Sequence, residues 1–131
     1  MSHATDADLV HSLYNAYSAM DIPAVDRLLS EDYVMHVSGH HPLSGAHRGK
    51  PAVWTYLAKV AEIAAGTGGW DLHSVTVDGD GHAVALLTGT IRDYVRPVIH
   101  IFHMQEGRFT EFWDSYLDAE REDEFWRGAL T

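Results

Sequence analysis

The sequence predicts an α+β domain in which a curved antiparallel sheet wraps around three N-terminal helices and leaves a cone with an internal pocket. Three observations carry that prediction. Apolar residues recur at helical spacing through the first half of the chain. From Trp70 onward the pattern switches to strands. Turn words, DGDG at 78–81 and QEG at 105–107, divide that second half. Helices followed by a run of antiparallel strands is an α+β order. At 131 residues, 46% of them apolar, the chain reads as one domain over 1–131 with enough material for a core.

Asp6 to Met20 is the first predicted helix. Leu9, Val10, Leu13, Tyr14, Tyr17 and Met20 form its stripe, and Thr5 or Asp6 its cap. Asp21 can cap a short second helix, with Pro23 in its first turn and Val25, Leu28 and Leu29 on the buried side. Tyr33 to Val37 is a strand. SGHHPLSGAHRGK, at 38–50, reads as a loop. A third helix starts near Pro51 and runs to about Ala65, with Val53, Trp54, Leu57, Val60, Ala61 and Ala64 along one side. Strands follow at Trp70 to Val77 and His82 to about Arg96. Val98–Met104 and Phe109–Tyr116 then form a hairpin, and Asp118 to Trp126 a short helix whose charges face solvent.

The hairpin carries most of the functional signal. A three-residue loop with Gly107 in the left-handed position sets Met104 against Arg108 and His100 against Phe112. Asp114 then shares the His100 face, one diagonal step away. A two-residue turn would send Asp114 to the other face. In the favoured register His100, Phe102, Phe112, Asp114 and Tyr116 line the interior, and His103, Glu111, Trp113 and Ser115 the exterior.

The net charge of −10, from 9 basic and 19 acidic residues, disfavours nucleic acid and anionic membrane surfaces as partners. There is no cysteine, hence no disulfide framework or thiolate metal site. No apolar run approaches the roughly 18 residues of a membrane span, and MSHATDAD has no secretory pattern, so a cytoplasmic protein is expected. Of ten histidines, His3, His11, His73 and His82 read as merely exposed. His40, His41 and His47 match no zinc spacing and sit in a glycine-rich loop, so no metal is expected, although His41 or Arg48 could touch a ligand.

The words AYSAMDIPAVDRLLSEDYVMHV, PLSGAHRGKPAVWTYLAKV and EGRFTEFWD resemble the SnoaL-like polyketide cyclase and ketosteroid isomerase group of the nuclear-transport-factor-type cone fold. That resemblance covers nearly the whole chain. It implies an acid/base role for Asp114, in the EFWD word, with His100 on the preceding strand. The isomerase pattern is not met, because its usual base position holds Val37, preceded by His36, and its second acid falls at His100. Related epoxide hydrolases use an Arg and two Asp. Asp114 could be one, but Arg92 and Asp93 are adjacent and would point apart.

A carboxyl in an apolar pocket is held toward its neutral form and becomes useful for proton transfer. Asp114 and His100 could together remove a proton α to a carbonyl and return one to the oxyanion, without a cofactor. His36, at the end of the first strand, is a further acid/base candidate. Tyr14, Tyr17, Tyr33, Trp54, Phe102, Phe112 and Tyr116 would line a pocket suited to a small apolar or polycyclic molecule, as in natural product biosynthesis. The alternatives are a non-catalytic binder of such a molecule and a purely structural module. Trp113 on the outer sheet face implies a homodimer through that face.

Overall fold

The computed structural model describes residues 5–131, so the expectation for His3 lies outside it. Thr5 opens α1 (Asp6–Ser18) with a reciprocal capping box to Asp8. The helix stops at Ser18, before the predicted end. Met20 takes a positive φ of 54° in the turn and is 71% exposed, so it leaves the stripe. Asp21 caps α2 (Ile22–Leu28), and Pro23 sits in its first turn as predicted.

β1 runs from Leu29 to Val37, longer than expected. The segment read as a loop contains β2 (Gly45–Arg48), which pairs antiparallel with β1. Its residues alternate poorly in polarity, which is why the pattern missed it. α3 (Lys50–Ala64) ends at Ala65 in the left-handed region. β3 (Gly69–Val77) and β4 (His82–Ile91) flank the DGDG turn. The chain then reverses at Arg92–Asp93, inside what read as one strand, and β5 spans Tyr94–Gln105. Arg92 adopts φ 56° there, held by its N–H to Thr67 Oγ1 (2.8 Å) and its Nε to the Ile63 carbonyl (2.9 Å). β6 (Arg108–Tyr116) and α4 (Ala119–Ala129) complete the chain.

The six strands form one sheet in the order β2-β1-β6-β5-β4-β3. All pairs are antiparallel except β1 with β6, which is parallel and joins the first strand of the chain to the last. The inner face packs on α1, α2 and α3 around Val10, Leu13, Val25, Leu29, Tyr33, Val53, Phe102 and Phe109. A smaller cluster of Ile63, Ile91, Tyr94 and Trp126 docks α4.

The charges of α4 are not all solvated. Glu122 and Asp123 are 2% and 7% exposed, contrary to the expectation for this stretch. Asp123 accepts from the His40 N–H at 2.8 Å and ties the β1–β2 loop to α4. No described helix is long and apolar enough to cross a membrane.

Candidate functional site: a buried carboxyl and imidazole on the inner face of the sheet

The hairpin turn has two residues, Glu106 (φ 53°) and Gly107 (φ 76°), and Gln105 opposes Arg108. Both central residues being left-handed is the type I′ arrangement. The three-residue loop is therefore wrong, and so is its register. By parity alone Asp114 should leave the His100 face. It does not, because β6 carries a bulge. Met104 opposes Phe109 while His103 opposes Glu111, which leaves Thr110 without a partner. The extra residue restores the face. His100 opposes Asp114 directly, not Phe112. Phe109 and Phe112, three apart, are both buried for the same reason. Thr110 is fixed by hydrogen bonds of its hydroxyl to His103, one of them donated to the His103 carbonyl at 3.2 Å.

His100 and Asp114 are 4% and 7% exposed. They are neighbours with separate partners. Tyr14, on α1, sets its hydroxyl 2.5 Å from His100 Nδ1. Burial, reinforced by the Arg96 charge, pushes the imidazole pKa down to about 3. Burial pushes the Tyr14 phenol far up, so it keeps its proton. A neutral imidazole has one acceptor nitrogen. Tyr14 therefore donates to Nδ1, and the His100 proton resides on Nε2. Trp70 and Phe112 meet the ring edge-on at 4.9 and 4.8 Å between centroids.

Asp114 accepts from the Ser38 N–H at 2.8 Å and from the Tyr116 hydroxyl at 3.2 Å. Burial raises its pKa above the ordinary carboxylate value, against the lowering effect of those two bonds. Tyr56, from α3, also senses this carboxyl: burial first and Asp114 second raise its phenol.

A third polar group, absent from the sequence reading, lies beside them. Glu122 of α4 receives four hydrogen bonds. Tyr94 OH (2.9 Å) and Arg96 Nε (3.0 Å) reach one oxygen, and Arg96 Nη2 (3.1 Å) and Trp126 Nε1 (2.8 Å) the other. Arg96 is 8% exposed and ringed by Tyr94, Tyr116 and Trp70, with its Cζ 5.1, 5.3 and 5.7 Å from their centroids. Burial alone would lower the guanidinium pKa. Glu122 and the nearby phenols outweigh it and raise it. The signal for Arg96 was its even spacing from His100 on one strand. Glu122 gave no sequence signal beyond its place in an acidic helix.

The remaining candidates separate by face. Tyr33, Phe102 and Phe112 are core residues at 0%, 1% and 6% exposure, and Tyr17, Trp54 and Tyr116 pack partly buried against the core. His36 falls on the outer face, not at a cavity mouth. It stacks on Trp113 at 5.2 Å, and its Nε2 lies 2.5 Å from Glu111 Oε2. His103 lies on the same outer face. In the β1–β2 loop His41 stacks on Trp126, and on β2 the His47 ring meets Tyr56 at a tilt. Among the described residues no three His, Cys, Asp or Glu side chains group as metal ligands. Arg92 and Asp93 lie in the β4–β5 turn, outside this constellation, so they supply no epoxide-hydrolase pair.

A cleft of about 170 Å³ at the α4 end of the sheet is lined by Tyr94, Arg96, Tyr116, Leu117 and Arg121. It reaches to within one side chain of Asp114, through Tyr116. A broader cleft of about 490 Å³ lies at the hairpin end, beside Ser30, Asp32 and Arg108, away from this chemistry.

A curved sheet over helices with a polar cluster on the inner face defines a cone-fold protein of the nuclear-transport-factor type. Residues 10–112 match the SnoaL-like domain family, and the chain belongs to it. Bal32a, from a soil-derived mobile gene cassette, superposes with a TM-score of 0.88 at 23% identity, covering 93% of this chain and 96% of that one. A cystatin-like-fold protein of unknown function from Xanthomonas campestris gives 0.81 at 24% identity, with 93% and 98% covered. A candidate polyketide cyclase from Sinorhizobium meliloti gives 0.68 at 21%, with 82% and 94% covered. These likenesses establish the fold. No curated protein matches the chain.

Proposed function

We propose that this protein is a cofactor-independent acid/base enzyme of SnoaL type, a cyclase or isomerase, acting on an apolar small molecule that carries a carbonyl group. The observation that carries the reading is Asp114. It is a buried carboxyl with a raised pKa, oriented by Ser38 and Tyr116 and set directly across the strand pair from a neutral imidazole. As carboxylate, Asp114 takes a proton from the carbon α to the carbonyl. The C–H electrons form the enolate, whose oxygen accepts a hydrogen bond from His100 Nε2–H. In an isomerisation Asp114 returns the proton to another carbon. In a cyclisation the enolate carbon attacks a second carbonyl, and the alkoxide formed takes the proton back from Asp114. The ligand enters through the cleft at Tyr116 and Arg96, and Tyr14, Tyr17, Trp54, Phe112 and Tyr116 contact it.

The protein acts in the cytoplasm as a homodimer through the outer sheet face, where Val84 and Leu86 are 37% and 46% exposed, one strand removed from Trp113. The second reading is a binder without catalysis. It is favoured by the fact that Tyr14, Ser38 and Tyr116 already occupy the polar pair.

The experiment is solvent deuterium exchange at the α-carbon of a panel of aromatic ketones and 1,3-diketones, followed by NMR. Wild type accelerates exchange, and Asp114→Asn, which keeps the shape of the group, abolishes it while the fold remains. Equal exchange by the Asn variant refutes the proposal. A ketone that binds tightly and stays free of deuterium establishes the binder instead.

A further inference from the structure

The donors of Arg96 are unevenly used. Nε and Nη2 grip Glu122, and Nη1 makes no hydrogen bond among the described residues. Ser30 Oγ is the one described side-chain polar atom both fully buried and unpartnered, so Nη1 is not fully enclosed, and Arg96 lines the cleft with Tyr94 and Tyr116. Nη1 lies over Gly89, opposite Arg96 in the β4–β5 register. A Cβ there would stand 2.9 Å from Nη1 and 2.6 Å from the Trp70 ring. Glycine lets the guanidinium and the Trp70 ring pack directly on this backbone. Trp70 in turn meets His100, and Tyr116, which also packs on Arg96, donates to Asp114.

We infer that Arg96 Nη1 is a second oxyanion donor of this site, a catalytic residue, with Glu122 the positioning residue that aims it. The inference rests on the enolate chemistry proposed above. His100 supplies one N–H, and it is neutral. A guanidinium donates only and does not lose its proton under working conditions. The bidentate grip uses one edge of the fork and fixes the direction of the other. The pairing also avoids an uncompensated buried charge in the empty site. Trp70 and Tyr116 pack on the guanidinium, so the oxygen it meets belongs to a planar, conjugated enolate. Glu122 lies beyond residues 10–112 that match the family, so the device depends on this chain's C-terminal helix.

The test uses 2-naphthol, a planar phenol whose ionisation is read by absorbance and whose anion imitates an enolate. Wild type binds it and favours the anion by about tenfold or more relative to water, as a cation beside an oxyanion should. Removing both charges together, in Arg96→Met with Glu122→Gln, preserves the fold, because the amide still partners Tyr94 and Trp126, and abolishes that preference. Glu122→Gln, which leaves Arg96 in place but unaimed, reduces it. Asp114→Asn keeps the preference while losing α-carbon exchange. An unchanged preference in the double variant overturns the inference, as does wild type that binds naphthol without preference or not at all. If exchange survives Asp114→Asn, the proposed reaction fails while the anion preference of Arg96 stands, so the two failures are distinguishable.

Discussion

Replacing Glu122 with Gln tests whether α4 is locked to the sheet by charge. Four donors converge on two carboxylate oxygens. Gln offers one oxygen and an NH2 that donates. With the amide nitrogen toward Arg96 Nη2 and Trp126, two donors lose their acceptor. Turned the other way, Tyr94 can rotate to accept, but Arg96 Nε is orphaned. In both cases a guanidinium 8% exposed loses its counter-charge. Removing one partner of a buried ion pair costs about 3–5 kcal/mol. Gln retains part of the hydrogen bonding, so about 3 kcal/mol is expected. For a domain of this size that is roughly 12 °C in Tm, at about 4 °C per kcal/mol. Urea unfolding of purified protein, with Arg96→Met/Glu122→Gln alongside, measures it. The double variant should lie within about 2 kcal/mol of wild type, because no buried charge is left unpaired and the new amide can accept from Trp126 Nε1 and donate to the Tyr94 hydroxyl. A single variant within about 1 kcal/mol of wild type, or a double variant no better than the single, refutes the reasoning.

Acid should destabilise the fold through His100. Its folded pKa of about 3 lies below the unfolded value near 6.5, so the unfolded chain binds the proton first as pH falls through that window. By pH 5 the loss is about 2 kcal/mol. Asp114, whose folded pKa is raised, opposes it at the acid end, where its protonated form favours the folded state. His100→Gln should remove most of the slope between pH 6.5 and 5 in denaturant titrations, and an unchanged slope would contradict the burial argument. Deleting Thr110 removes the unpaired residue and leaves Glu111 opposite His103 and Asp114 opposite His100, so the deletion should keep a native near-UV circular dichroism spectrum. A molten spectrum would mean that Thr110 is not the extra residue of the strand. Gly89→Ala should lower Tm by several degrees and red-shift Trp70 fluorescence, because the new methyl meets that ring at 2.6 Å. Unaltered emission would show that the ring has room to move.

The helices and the change of period at Trp70 were legible because they rest on local patterns. The division of the hairpin into two faces was also reached, but through a wrong turn. Two departures cancelled: a two-residue turn reversed the parity and the unpaired Thr110 reversed it again. Alternation reads parity, not pairing, so neither was visible alone. The failures at Glu122 and His36 have one cause. An acidic residue in a charged helix looks solvated until its long-range donors, Arg96 and Trp126, are known. A histidine near a strand end has no local marker of which face it takes. Arg96 was passed over because the strand was drawn through the Arg92–Asp93 turn, which placed it at a strand end.

The parallel contact of β1 with β6 has a kinetic meaning. The strands from β3 to β6 join their neighbours through short turns and can zip sequentially, whereas β1 must cross most of the chain to find β6. Loop closure of that length is slow, and it gains nothing until it is complete. The bond from Ser38 to Asp114 joins residues 76 apart across this seam. The carboxyl therefore acquires its orienting partner only when the sheet closes. A chain stalled with β3 to β6 assembled would hold Asp114 without its Ser38 partner. Competence at the site would appear in refolding with the slowest phase, behind the recovery of most secondary structure.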